Sequence, residues 1–163
     1  MELQEMFDHY QAFCKEANLA PSDVVISAGG GLALHDIRKE VGDLDLDIPE
    51  EDYRRLATDP SRLFSSSMGE YYEYNDVISL HIQKPGIGRA CFHFPQGEIY
   101  CYSWTALLDQ KIALLEMPDR KPEKVSRDIA ELDIMIEQLT KLESDYAQKI
   151  LKRAAAAKAR WPL

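Results

Sequence analysis

The chain of 163 residues is 45% hydrophobic and 29% charged, the proportions of one ordinary globular domain, and such a chain buries roughly 70% of its unfolded surface. Fifteen aromatic residues and regular apolar spacing exclude disorder over most of it, and no apolar run approaches the ~20 residues needed to cross a bilayer. The net charge is −9, but residues 149–163 carry five basic side chains and no acid, leaving −14 on residues 1–148, a poor general binder of nucleic acid and a suitable host for divalent cations.

The first residues, MELQEMFDHY, are acidic and amphipathic, and the three cysteines (Cys14, Cys91, Cys101) lack CxxC spacing. A cytoplasmic protein with reduced thiols is expected, with no membrane partner. Leu3, Met6, Phe7, Tyr10, Phe13, Cys14 and Ala17 fall on one stripe and predict a helix. Val24-Val25-Ile26 predicts a short buried strand, broken by Gly29-Gly30-Gly31. Residues 32–40 read as helical and Gly42 as the stop. Asp43 to Ile48 alternates with period two, a strand with one apolar and one carboxylate face. Pro49 with Glu50, Glu51 and Asp52 marks a helix start. Residues 58–69 read as a serine-rich loop. Strands are expected at 77–83, 90–94 and 98–102, separated by turn-forming segments at 84–88 and 95–97. Ser103 is the expected cap of a helix to about Glu116, and Ser126 of the next, to about Leu139. A last helix is expected at about 142–158. The class is α+β: a small mixed sheet with helices packed on it and a C-terminal helical segment. Residues 1–140 are expected to form the domain, with 141–163 a helix and basic tail packed on it or continuing it.

Ordinary folding does not call for the carboxylates Asp43, Asp45 and Asp47. They point to one face about 7 Å apart along the strand and repel unless solvated, paired or bridged by a cation. A divalent ion on hard oxygens is one remedy; an exposed acidic face that keeps the protein soluble is the other. Upstream, a strand running into three glycines and a helix offers backbone N–H groups to a phosphate, or is simply a tight turn. In the helix from Ser103, the apolar stripe of Trp104, Leu107, Leu108, Leu114 and Leu115 is interrupted at i+7 by Lys111. That lysine either snorkels to water or meets an anion, the aspartate cluster or a polyphosphate. In the next helix Ile129, Leu132, Ile136 and Leu139 form the stripe with Asp133 in it. Asp128 and Glu131 flank it, with Lys124 and Arg127 as ordinary partners.

The segment VVISAGGGLALHDIRKEVGDLDLDI resembles the signature of the polymerase-β-like nucleotidyltransferase superfamily: an apolar strand, Gly-Gly or Gly-Ser, a short helix, then Asp-hydrophobic-Asp-hydrophobic. Within it the chain is more similar to the small bacterial and phage branch of abortive-infection toxin-type nucleotidyltransferases. The segment from Ser103 through Lys111 to Ile112, then Arg120, then Arg127-Asp128-Ile129-Ala130-Glu131-Leu132, carries that likeness, which covers residues 22–140. The resemblance implies a nucleotidyltransferase-like fold in which Asp43 and Asp45 hold Mg²⁺ or Mn²⁺. It further implies that Gly29, Gly30, Gly31 and Arg38 bind the NTP, that Lys111 neutralises its polyphosphate, and that Asp128 or Glu131 orients Lys111 or the acceptor. Asp43, Asp45, Lys111 and Asp128 are thus the expected catalytic set. Such enzymes transfer a nucleoside monophosphate, from ATP or another NTP, to a hydroxyl of RNA, protein or a small molecule, releasing pyrophosphate. Phage defence, and an antitoxin or a second copy of the chain as partner, go with the toxin-type branch. Members of the family commonly carry a third carboxylate on a later strand. Here that strand presents Ser79, His81 and Gln83 and no acid, with Asp76 only at its start. A catalytically inactive binding or regulatory protein on the same fold is the second reading, and an RNA-binding adaptor using the basic tail the third.

Overall fold

The computed structural model of the chain describes residues 1–141 and 144–162. Among the described residues six α-helices and seven strands follow one another, five of the strands in succession before the last three helices, in two compact units, Met1–Leu107 and Leu108–Leu163.

The first unit is built on the alternating segment. β2 (Leu44–Ile48) turns Leu44, Leu46 and Ile48 to one side, and all three are fully buried. β5 (Ile78–Ile82) pairs parallel to it, setting Ile78, Leu80 and Ile82 beside those residues. On the other side β1 (Val25–Ile26) runs antiparallel, with Ile26 opposite Leu46. β7 (Gly97–Tyr102) lies parallel to β1, and β6 (Arg89–Phe94) closes that edge as a hairpin with β7. At the other edge a second hairpin, β3 (Leu63–Ser66) and β4 (Gly69–Glu73), pairs with β5 through Tyr72 and Glu73. The order is β3-β4-β5-β2-β1-β7-β6, one mixed sheet of seven strands.

Helix α1 (Leu3–Ala17) supplies Met6, Phe7, Tyr10, Phe13, Cys14 and Ala17 to the core formed with the apolar side of this sheet. Its expected stripe holds except at Leu3, which is 45% exposed. Tyr10 reaches through that core to donate to the carbonyls of Pro21 and Val24. Its phenol is pushed far up, chiefly by burial.

Four expectations change. The glycines are not a break ahead of a helix: α2 (Ala28–Leu34) begins just before them, takes them into its first turn and ends at Leu34, well before Gly42. The serine-rich stretch holds β3 and the start of β4, whose edge position leaves β3 mostly exposed and without an apolar alternation. α3 (Glu50–Leu56) starts after Pro49 as expected, with three acids in its first turn. α5 (Pro122–Leu139) starts at Pro122 rather than after Ser126, because proline suits the first helical position where its missing N–H costs nothing. The buried face of α5 is also rotated: Val125, Asp128, Glu131, Leu132, Met135 and Leu139 are covered, while Asp133 is exposed and pairs with Lys158.

α4 (Trp104–Glu116) is capped by Ser103, whose hydroxyl accepts from Ala106 N–H at 3.2 Å. In the second unit α6 (Asp145–Ala159) is capped by Ser144; the expected start at Leu142 lies outside the described residues. Arg153 binds Asp109 and Glu116, and Trp161 donates to the Leu115 carbonyl at 2.7 Å. Two of the five basic residues of the tail, Arg153 and Lys158, are therefore engaged in ion pairs.

Candidate functional site

Period two and the register of three strands assemble the polar side of the sheet. Asp45 lies opposite Ser79, and Asp47 opposite His81. On β1 Val25 faces Asp47, so Ser27, two residues on, lies on the same side, as does Tyr102 at the end of β7. β4 adds Glu73 opposite Ser79.

The three aspartates occupy different environments. Asp43 sits exposed in the bend before β2, Asp45 is half-buried, and Asp47 is 8% exposed. Asp45 Oδ1 lies 3.1 Å from His81 Nε2, whose ring stacks on Tyr71 with centroids 5.7 Å apart. Burial pulls the His81 imidazole down, but its hydrogen bond to the Asp45 carboxylate and the charges of Asp45 and Asp47 outweigh it and hold it above its ordinary value. Both oxygens of Asp47 are taken: Ser27 donates to Oδ1 at 2.9 Å and Tyr102 to Oδ2 at 2.5 Å. Burial raises the Asp47 carboxyl above the usual range against the lowering effect of those donors.

This is a graded face, with one carboxylate in water, one at the boundary and one locked inside. Asp43 and Asp45 together offer hard oxygen ligands at the solvent edge, a donor set that fits Mg²⁺ or Mn²⁺ completed by water and phosphate oxygens. Asp47 is buried, with a donor already on each of its oxygens. A depression of about 450 Å³ opens beside Asp43, lined also by Arg62, Glu73, Asp76 and Ser79. It lies toward β4 and β5, and the glycines do not line it.

The glycines are packed. A Cβ on Gly30 would meet Ile26 Cγ2 at 2.7 Å and Leu44 Cδ1 at 3.2 Å, and one on Gly31 would meet Leu107 at 3.1 Å. These two residues let α2 lie close on the strands. A Cβ on Gly29 would instead strike the Arg38 guanidinium, at 2.1 Å from Nη1. Just before them Ala28 holds a positive φ of 48°, a conformation that strains a residue with a Cβ.

In the second unit, Lys111 Nζ donates to Asp128 Oδ1 at 2.9 Å and lies 3.6 Å from Glu131 Oε2. Arg120 Nε donates to the other Asp128 oxygen at 2.7 Å. The Asp128 side chain is fully buried; burial acts to raise its carboxyl, but Arg120 and Lys111 overcome this and hold it below the usual range. Arg127 pairs with Glu131 at 3.4 Å.

No family model matches the chain, and no curated protein matches it as a relative. Two solved structures align with almost all of it. One is an antigenic nucleotidyltransferase-like protein from Paracoccidioides brasiliensis, with TM-score 0.53 and 17% identity over 98% of this chain and 89% of that one. The other is ANT(2″)-Ia in complex with adenylyl-2″-tobramycin, with TM-score 0.54 and 19% identity over 96% of this chain and 97% of that one. The fold is nucleotidyltransferase-like.

On this nucleotidyltransferase-like fold, the residues expected from sequence fall into three groups. Asp45 lies on the polar sheet face, and Asp43 is exposed in the bend just before β2. Gly29 and Arg38 meet at the start of α2, while Gly30 and Gly31 serve packing. Lys111 and Asp128 are bound to each other in the second unit, with Arg120 as the further cation. Sequence reasoning missed Glu73, Ser27 and Tyr102 at the face. The alternation of Tyr71 and Glu73 with buried Tyr72 was the signal for Glu73, although only strand register sets it across from Ser79.

Proposed function

We propose that the chain is a metal-dependent nucleotidyltransferase that moves a nucleoside monophosphate from an NTP to an acceptor hydroxyl. The observation that carries this is Asp45 on the central strand β2 with Asp43 two residues earlier in the bend that leads into it, within a nucleotidyltransferase-like fold. In the reaction the acceptor oxygen bonds to the α-phosphorus, the α–β bridging P–O bond breaks, pyrophosphate leaves, and the hydroxyl proton passes to a base. Asp43 and Asp45 would hold Mg²⁺ or Mn²⁺. When bound, that ion supplies charge neutralisation on the polyphosphate and acidifies the acceptor hydroxyl.

His81 is a positioning residue here: its hydrogen bond and its stack on Tyr71 fix Asp45. Ser27 links the strand before the glycines to β2, through its N–H on the Asp45 carbonyl at 3.0 Å and its hydroxyl on Asp47. The acceptor is an RNA, a protein or a small molecule. The acids Glu73 and Asp76 beside Asp43 favour a neutral or cationic acceptor over a phosphate-rich one. A toxin-type role, with an antitoxin or a second copy as partner, belongs to the same reading.

The test is incubation with Mg²⁺ or Mn²⁺ and each NTP labelled on the α-phosphate, alone and with RNA, protein or polyamine-bearing alcohols. Label transfer and pyrophosphate release are expected, and loss of both in Asp43→Asn and Asp45→Asn. Activity persisting in both variants overturns the metal assignment. A second reading, nucleotide binding without turnover, is favoured by one observation: the residue facing Asp45 on β5 is Ser79, not an acid. Tight NTP binding with no product for any acceptor would support it.

A further inference from the structure

On the β6–β7 hairpin, away from the Asp43–Asp45 pair, three side chains of different chemistry converge. Cys91 and His93 stand two residues apart on β6 and so on one side of the ribbon, and Glu98 on β7 lies directly opposite His93. One ligand atom from each, a thiol sulfur, an imidazole nitrogen and a carboxylate oxygen, lies within 4.8 Å of the other two. His93 Nδ1 is 3.3 Å from Glu98 Oε1. Among the described residues this is the one group of three or more His, Cys, Asp or Glu so arranged.

We propose that Cys91, His93 and Glu98 form a binding site for a thiophilic divalent cation of the zinc class. Four ligands at 2.0–2.3 Å around a tetrahedral ion stand about 3.3–3.8 Å apart, so these three need only small rotations to close on one. Sulfur with imidazole selects zinc over magnesium, which separates this site chemically from the all-oxygen aspartate pair. A water takes the fourth position. On binding, the Cys91 S–H bond is exchanged for an S–metal bond and the proton passes to solvent. Glu98 comes with a supporting partner: Tyr100 donates to its second oxygen, Oε2, at 3.0 Å, and so orients the carboxylate. Cys91 faces Tyr100 across the ladder, so two neighbouring cross-strand pairs on one side of the ribbon, Cys91–Tyr100 and His93–Glu98, serve one ion. The cation would cross-link the outermost strand, β6, to β7.

The cysteine inventory makes the test direct. Cys14 and Cys101 are buried and Cys91 is exposed, so the folded protein should present one fast thiol to an aromatic disulfide reagent. One equivalent of Zn²⁺ should slow that reaction by at least about tenfold, Mg²⁺ should leave it unchanged, and EDTA should restore it. Co²⁺ should give a thiolate charge-transfer band that saturates at one equivalent. His93→Ala and Glu98→Gln, both at exposed positions, should each weaken Co²⁺ binding about tenfold or more, and Tyr100→Phe measurably less. Absence of Zn²⁺ protection in the unaltered protein overturns the site, whatever the variants do. Protection that persists undiminished in both His93→Ala and Glu98→Gln also overturns it, as the mark of a lone thiol adduct.

Discussion

The Tyr102 hydroxyl donates to Asp47 Oδ2 at 2.5 Å, while Ser27 holds the other oxygen of the same carboxylate. The third acid of the alternating strand is thereby fastened between β7 and the residue that opens α2. It braces the sheet beneath Asp45. Removing one donor from a buried carboxylate leaves an acceptor without its partner, at a cost of about 1–3 kcal/mol. Tyr102→Phe is therefore expected to lower the unfolding free energy by that amount in a urea titration. It should leave Mn²⁺ binding unchanged, since it touches neither Asp43 nor Asp45.

The glycine run separates into packing and approach. Gly30→Ala forces a methyl against Ile26, Leu44 and Met6, all of them core residues with nowhere to move. Overpacking of this kind costs about 1–3 kcal/mol, offset in part by the helix preference of alanine, about 1 kcal/mol over glycine. Gly29→Ala meets the Arg38 side chain rather than backbone or the apolar core, and the guanidinium must shift to admit the methyl. The expected order of melting temperatures is Gly29→Ala near the unaltered protein and Gly30→Ala well below it. A nucleotide held by Arg38 over Gly29 would be bound more weakly by Gly29→Ala, read as a rise in Kd at unchanged stability.

What was legible in the sequence follows from which signals are local. β2 was readable because strict alternation is a property of one strand, and α1 because its stripe needs no partner to be seen. β3 was not, since an edge strand with its side chains in water carries no apolar period. The start of α2 was hidden for a different reason: tight packing of Gly30 on Ile26 and Leu44 overrides the poor helix preference of glycine. Lys111 was visible as a charge in an apolar stripe, but its hydrogen-bond partner Asp128 lies 17 residues on, beyond any local pattern. Lys124 and Arg127 were the near candidates for the acids of α5. Arg127 does pair with Glu131, whereas Asp128 takes Lys111 and Arg120 instead. Glu73 depended on strand register, which the sequence carries only through the turns that set it.

Asp128 makes the second unit sensitive to acid. Its folded value is depressed, so its contribution to stability is complete above the unfolded value of about 3.9 and is lost as pH falls through the depressed folded one. Urea midpoints should therefore fall steeply below about pH 4. Trp161, which is bonded to the Leu115 carbonyl, is the reporter for this unit in a Trp104→Phe background. Asp128→Asn takes from Arg120 and Lys111, both largely buried, the carboxylate they share, leaving Lys111 with Glu131 at 3.6 Å, and should cost about 3–5 kcal/mol. The same variant should flatten the acid dependence. A midpoint in Asp128→Asn that still falls as steeply below pH 4 would place the acid sensitivity elsewhere.

The graded burial of the strand acids predicts a graded response to the same substitution. Asp43→Asn changes an exposed side chain and should move stability by no more than about 0.5 kcal/mol, relief of carboxylate repulsion favouring the folded state. Asp45→Asn keeps an oxygen that can accept from His81, so the sheet should persist, although the site loses its half-buried charge. Each should weaken Mn²⁺ binding in the presence of an NTP by about tenfold or more, measured as the free-ion signal in electron paramagnetic resonance. Asp47→Asn should do the reverse, keeping Mn²⁺ affinity while lowering the unfolding free energy, because its oxygens serve Ser27 and Tyr102. If Asp43→Asn and Asp45→Asn bind Mn²⁺ and NTP as well as the unaltered protein, the acidic face is a solubility feature. The nucleotidyl-transfer reading then loses the pair of ligands on which it stands.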